Sequence, residues 1–280
     1  MRAALLLLAT LAAAAAPQRI VSTAPSFTET LFAIGAGARV IAVSTYCHYP
    51  AAVEKLPRIG TYLQPNVEVI ARLKPDLVLV HAEQKLVVAQ LTGLGIRTLA
   101  LHNTTLEDTL GTIPKVGAAI GMPAQAAALE KSLRFRLATI EKRYAGHAAR
   151  PLLFIVGRTP GRLDGMIAVG KGSYLNDLIR AAGGRNVLSD SPVAYPTISI
   201  EGVMRLDPDV IVDMGDMAAT VGISPEHKLA VEKLWAGQPA IRAVARKKVF
   251  AVAADIFVVP GPRVVEAAEA FAAMLHGGTP

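Results

Sequence analysis

One fourteen-residue pattern occurs twice in this chain. Val67–Val80 (VEVIARLKPDLVLV) superimposes on Ile200–Asp213 (IEGVMRLDPDVIVD) at an offset of 133 residues. Five of the fourteen positions are identical, Glu68/Glu201, Arg72/Arg205, Leu73/Leu206, Pro75/Pro208 and Asp76/Asp209, and five more exchange one aliphatic side chain for another. Each copy has the same physical logic. A glutamate sits in the first turn of a short helix, where the helix dipole favours negative charge. The helix stops before a proline, which cannot continue it. Asp then turns the chain into a short apolar run of the kind buried in a parallel sheet. The same offset pairs Tyr62 with Tyr195. A 280-residue chain built this way points to two similar lobes with a cleft between them.

The rest of the pattern agrees. Short β-type runs at Arg19–Thr23, Val40–Val43, Leu77–Val80 and Thr98–Leu101 alternate with helical stretches at Phe27–Ile34, Val67–Leu73, Gln84–Leu94 and Leu106–Ile120. Strands alternating with helices imply a parallel α/β layer. Ala124–Ala145 then runs without Gly or Pro, with Pro123 suited to a first turn and Gly146 to a stop. A helix of that length spans roughly 33 Å at 1.5 Å per residue. It falls at mid-chain, and α/β alternation restarts after it with Leu152–Val156, Tyr174–Ala182, Glu201–Leu206, Val210–Val212, Pro225–Trp235, Val249–Val252 and Arg263–His276. The expected division is a signal peptide over residues 1–16, an N-terminal lobe over 17–122, a connecting helix over 123–148 and a C-terminal lobe over 149–280.

Met1–Ala16 (MRAALLLLATLAAAAA) has a charged start, an apolar middle and small residues for cleavage, which is a secretory signal. No cysteine follows it, so no lipid-anchor site is present, and the mature protein is expected to be exported, to the periplasm in a cell with two membranes. Cys47 is the single cysteine, which excludes an intramolecular disulfide and a multi-cysteine metal site. The net charge of +7 is spread along the chain without a long basic run, so a nucleic-acid partner is not expected. Gly35-Ala36-Gly37 ends a helix and precedes a strand, the reverse of a dinucleotide fingerprint, and no Walker A sequence is present.

Several stretches together resemble one family. These are Val21–Gly35 (VSTAPSFTETLFAIG), Val43–Pro50 (VSTYCHYP), Leu56–Asp76, Gly183–Val187 (GGRNV) and Ser199–Val212. They are similar to the helical-backbone periplasmic binding proteins of ABC importers for cobalamin, haem and ferric siderophores. The Tyr-x-x-Tyr-Pro segment, Gly60–Tyr62 and Tyr195-Pro196 resemble the cobalamin-binding branch most, although that branch's best-known members carry tryptophan where this chain has Tyr62 and Tyr195. The resemblance implies an α/β fold of two Rossmann-like lobes with mostly parallel sheets, one long joining helix and a ligand cleft between them. It implies a monomeric, non-catalytic protein that captures a corrinoid and delivers it to a permease dimer. Glu68 and Glu201 match the family's pair of lobe-top glutamates, which dock into permease arginines; each also suits its own helix start.

Only 5 % of the residues are aromatic, so clustered tyrosines carry weight. Tyr46, Tyr49, Tyr62 and Tyr195 lie in loops expected to line the gap, and tyrosine offers a flat ring a broad face and a hydrogen-bonding tip. Asp255 and Arg263 are further cleft candidates, as are Cys47 and His48 between two of the tyrosines. His81 and His102 follow strand ends and could reach the cleft. One adjacent Cys-His pair does not build a metal site, and no metal or resident cofactor is expected; the metal-bearing macrocycle is cargo. Haem or a ferric siderophore is the alternative ligand. A tetrapyrrole chelatase-like enzyme is the remote alternative, and it needs an inward His/Glu pair that the sequence does not display.

Overall fold

A computed structural model describes residues 15–215 and 224–277. The secretory signal expected over residues 1–16 lies, apart from Ala15 and Ala16, outside the described residues. The first sheet contains β1 (Ile20–Ser22), β2 (Val40–Val43), β3 (Leu77–His81) and β4 (Thr98–Leu101), in the order β2-β1-β3-β4. Every pairing in it is parallel. The second contains β5 (Arg150–Gly157), β6 (Met166–Ala168), β7 (Gly184–Asn186), β8 (Thr197–Ile198), β9 (Val210–Asp213) and β10 (Val249–Ala251). Its path is β10-β9-β5-β6-β8, with β7 beside the start of β5. The pairs of β5 with β7 and β9, and of β9 with β10, are parallel. Those of β6 with β5 and β8 are antiparallel. The chain is therefore an α/β fold of two lobes with mostly parallel sheets.

β6, β7 and β8 are additions to the sequence reading. They are two or three residues long, too short to show a period, and β7 begins inside Gly183-Gly184, which reads as a turn.

The duplicated unit repeats in three dimensions. Asn66 and Ser199 cap the helices Val67–Arg72 and Ile200–Leu206, each accepting the backbone N–H three residues on. Both units leave their helix through a left-handed residue, Lys74 at φ 46° and Asp207 at φ 40°. Asp76 N–H then donates to Arg19 carbonyl and Asp209 N–H to Pro151 carbonyl, which starts β3 beside β1 and β9 beside β5.

The helix Pro123–Tyr144 does not cross an open gap. Ala126, Leu133 and Leu137 are its buried residues. They join a single apolar cluster with Leu77 and Leu79 of β3, Leu152 and Phe154 of β5, and Phe271 of the last helix, Val264–His276. One face of each sheet enters this common core. The alternate residues face outward onto each lobe's own helices, Val21 and Val78 with Ile70 and Leu91, and Leu153 and Ile155 with Trp235. Burial on both faces explains why the strands read as unbroken apolar runs. A backbone hydrogen bond from Tyr174 N–H to Thr104 carbonyl, 3.0 Å, also ties the lobes together.

Candidate functional site

Open parallel sheets present ligands at the carboxyl ends of their strands, and the candidate residues gather there. The loop after β2 carries Tyr46 to Tyr49. Arg58 holds it, donating to the carbonyls of Cys47 at 2.6 Å and Ser44 at 3.2 Å. Thr45 N–H donates to Gly60 carbonyl at 2.8 Å. Gly60 has φ 93°, and a Cβ there meets Gln64 carbonyl oxygen at 2.7 Å, so glycine is what lets the chain double back and present Tyr62. Gln84 donates to the Tyr62 carbonyl. In the second lobe, a Cβ at Gly170 falls 2.0 Å from Val193 carbonyl oxygen, so this glycine admits the loop that carries Tyr195.

The four loop tyrosines are 38–51 % exposed. Tyr46 and Tyr62 meet edge to face with centroids 5.8 Å apart. Tyr62 in turn leans on His81, 6.1 Å away, which rests on Phe27 at 4.8 Å. Ser173 donates to the Tyr195 hydroxyl at 3.1 Å. Burial of its hydroxyl pushes the Tyr195 phenol up from its ordinary value, and the Tyr62 phenol adds to the shift. The Tyr49 ring covers the Arg263 guanidinium at 4.1 Å, a cation–π contact.

Other candidates are placed differently. Cys47 is fully buried, its sulfur shared between the hydroxyls of Thr28 and Ser44 at 3.2 Å each. Burial pushes its thiol up, so it stays protonated. The expectation that Cys47 lines the cleft is therefore corrected: a turn closed by Cys47 N–H on the Ser44 carbonyl, 3.1 Å, points its sulfur inward between exposed Tyr46 and His48. His48 pairs through Nδ1 with Glu54 at 3.1 Å, and Arg58 holds the other oxygen of Glu54 at 2.8 Å. The His48 hydrogen bond, helped by the Arg58 charge, keeps the Glu54 carboxyl below its usual range. His102 pairs with Glu83 at 2.7 Å. Burial lowers the His81 imidazole from its ordinary value, leaving it neutral near pH 7. Among the described residues no three His, Cys, Asp or Glu side chains come together to hold a metal ion.

Arg263 is not a free cation in the cleft. Its Nε donates to Glu29 Oε2 at 3.0 Å, its Nη1 to Asp255 Oδ1 at 2.9 Å and its Nη2 to both carboxylates. Glu29 lies on the helix Pro25–Ala33 of the first lobe and is only 3 % exposed. The sequence reading missed it. The available signal was one acidic residue amid the apolar face of PSFTETLFA, where a buried carboxylate requires a cationic partner.

Glu68 and Glu201 stand exposed at the second position of their helices. Hydrogen bonds from its own N–H and from Ser199 hold the Glu201 carboxyl below the usual range. No described helix is long and apolar enough to cross a membrane.

A family model described as periplasmic binding protein matches residues 20–255. A vitamin B12-binding protein of Photorhabdus laumondii is 30 % identical over 94 % of this chain and 89 % of its own length. One from Salmonella typhimurium is 31 % identical over 91 % of this chain and 88 % of its own. Among solved structures, the periplasmic vitamin B12 binding protein of Vibrio cholerae matches with a TM-score of 0.78 at 29 % identity, covering 92 % of this chain and 96 % of that one. A periplasmic heme binding protein from Pseudomonas aeruginosa matches with a TM-score of 0.78 at 25 % identity, covering 94 % of each.

Proposed function

We propose that this chain, which belongs to the periplasmic binding protein family, captures a corrinoid, cobalamin first among them, between its lobes and delivers it to the permease of an ABC importer. What supports this is a set of exposed loop tyrosines, Tyr46 and Tyr62 in edge-to-face contact on one lobe and Tyr195 on the other. A large ring with polar edges needs broad apolar faces with hydrogen-bonding tips, which tyrosine supplies. Tyr49, His48 and Asp255 complete the rim. The vitamin B12-binding relatives, at 30–31 % identity over nearly the whole chain, favour the same ligand.

Capture needs no bond-making step, so the role is non-catalytic. The protein works as a periplasmic monomer after removal of residues 1–16, with lobes over 17–122 and 149–280 and the connection over 123–148. Glu68 and Glu201 dock on the permease. Both are exposed, both sit on rigid helix starts, and their equivalence under the internal repeat suits a partner with two equivalent basic pockets. The common core and long helix limit lobe closure to a small movement.

Parallel titration of the mature protein with cyanocobalamin and haemin, by calorimetry and visible absorption, tests the reading. Saturable one-to-one binding of cyanocobalamin supports it. Haemin binding with a shifted Soret band, and none of cyanocobalamin, replaces it with the haem reading. That second reading draws on the Pseudomonas aeruginosa structure and on exposed phenol and imidazole tips at Tyr49 and His48, both able to ligate iron.

A further inference from the structure

The Arg263 network joins three parts of the chain. Glu29 comes from a first-lobe helix, Asp255 from the turn after β10 and Arg263 from the start of the last helix, while Tyr49 covers the guanidinium. Gly261 keeps the assembly tight, since a Cβ there lies 3.1 Å from Glu29 Oε2 and 3.4 Å from Ser26 Cα. The arginine side chain is 13 % exposed and Asp255 23 %, so the group lies just beneath the cleft surface. Two carboxylates face one guanidinium; burial raises the Glu29 carboxyl and its hydrogen bonds to Arg263 oppose that, and with both carboxylates ionised the group carries a net charge of −1. A lone arginine at this point attracts ligand carboxylates; this one has its donors committed and its charge over-compensated.

We propose that Glu29 is a specificity-determining residue of the cleft: by holding Arg263 across the lobe boundary, with Asp255, it makes the cleft floor anionic and selects against ligands that carry carboxylates. The proposal deepens the cleft reading above and rests on it. Glu29 acts through Arg263 and does not touch the ligand. It separates two ligands of similar breadth by charge: haemin brings two propionates, whereas cyanocobalamin has no net charge. Tyrosine walls alone accept both. One unit of charge acting over several ångströms in a partly screened site changes affinity by about tenfold.

The test is haemin and cyanocobalamin titration of the wild type, Glu29→Gln and Asp255→Asn. Glu29→Gln keeps the shape and removes one negative charge; Asp255→Asn does the same from the more exposed side and serves if the buried change prevents folding. Haemin affinity is expected to rise about tenfold in each variant that folds, and in Glu29→Gln, whose site does not touch the ligand, cyanocobalamin affinity should change less. The haemin gain should shrink as salt rises from low to 0.5 M, because screening weakens a charge effect but not a packing effect. Haemin affinity that stays level or falls in the variants overturns the proposal and leaves Glu29 a structural brace. Failure of the wild type to bind cyanocobalamin refutes the corrinoid reading, and the haemin comparison still decides the role of Glu29.

Discussion

The two lobes fill one equivalent strand position in opposite ways. In the first lobe, β3 places Val80, buried and apolar, one residue before its end at His81. At the matching position of the second lobe, β9 reaches Asp213, fully buried and charged. Its carboxylate accepts from Arg158 Nε at 2.9 Å, Trp235 Nε1 at 2.7 Å and Gly215 N–H at 2.7 Å. The helices, caps and left-handed exits of the two units nevertheless coincide. Local backbone signals therefore build the unit, and what fills that strand position is free to vary. The lobes differ at the surface too: the first brings three of the four exposed loop tyrosines, the second one, on a loop admitted by Gly170.

The comparison breaks most sharply at Asp213. Asp213→Ala leaves Arg158 buried without its partner and should cost about 3–5 kcal/mol. Val80→Ala removes only two methyl groups and should cost about 2 kcal/mol. Urea unfolding of both variants checks this, and equal losses mean that the ion pair is not what distinguishes the lobes.

Docking should instead treat the lobes alike. Glu68→Lys and Glu201→Lys are each expected to reduce transport several-fold, and together by tenfold or more, with ligand affinity unchanged. Uptake by cells carrying the variants, beside titration of the purified proteins, separates the two effects; parallel loss of ligand affinity removes the docking role.

The cleft tyrosines sharpen the comparison next. Tyr62→Ala and Tyr195→Ala occupy matching positions and should each weaken cyanocobalamin binding by about tenfold, the range of an aromatic contact truncated at a binding site. Calorimetry that finds a loss for one and none for the other confines the ligand to a single lobe.

The smallest effect concerns the caps. Asn66→Ala and Ser199→Ala should each cost about 1 kcal/mol, since each removes one side-chain acceptor from a helix start. Thermal melts that differ widely between them contradict the equivalence of the two units.

Much of this protein is legible in its sequence. The repeat, the strand and helix alternation and the long central helix follow from local chemistry: proline ends a helix, Asn or Ser begins one, and parallel strands buried on both faces read as apolar runs. The tyrosines stood out because the chain has so few aromatic residues. What local chemistry does not carry is direction and partnership. Cys47 and His48 are neighbours, and only the packed loop turns the sulfur toward Thr28 and Ser44 while the imidazole pairs with Glu54. Arg263 reads as a cleft cation in sequence, and only the tertiary structure brings Glu29, 234 residues away, against it. The joining helix reads in sequence only as a connection between lobes, and packing gives both sheets one core around it. Element type is set by neighbours along the chain, but the sign and reach of a buried charge depend on groups that meet only when the lobes close on each other.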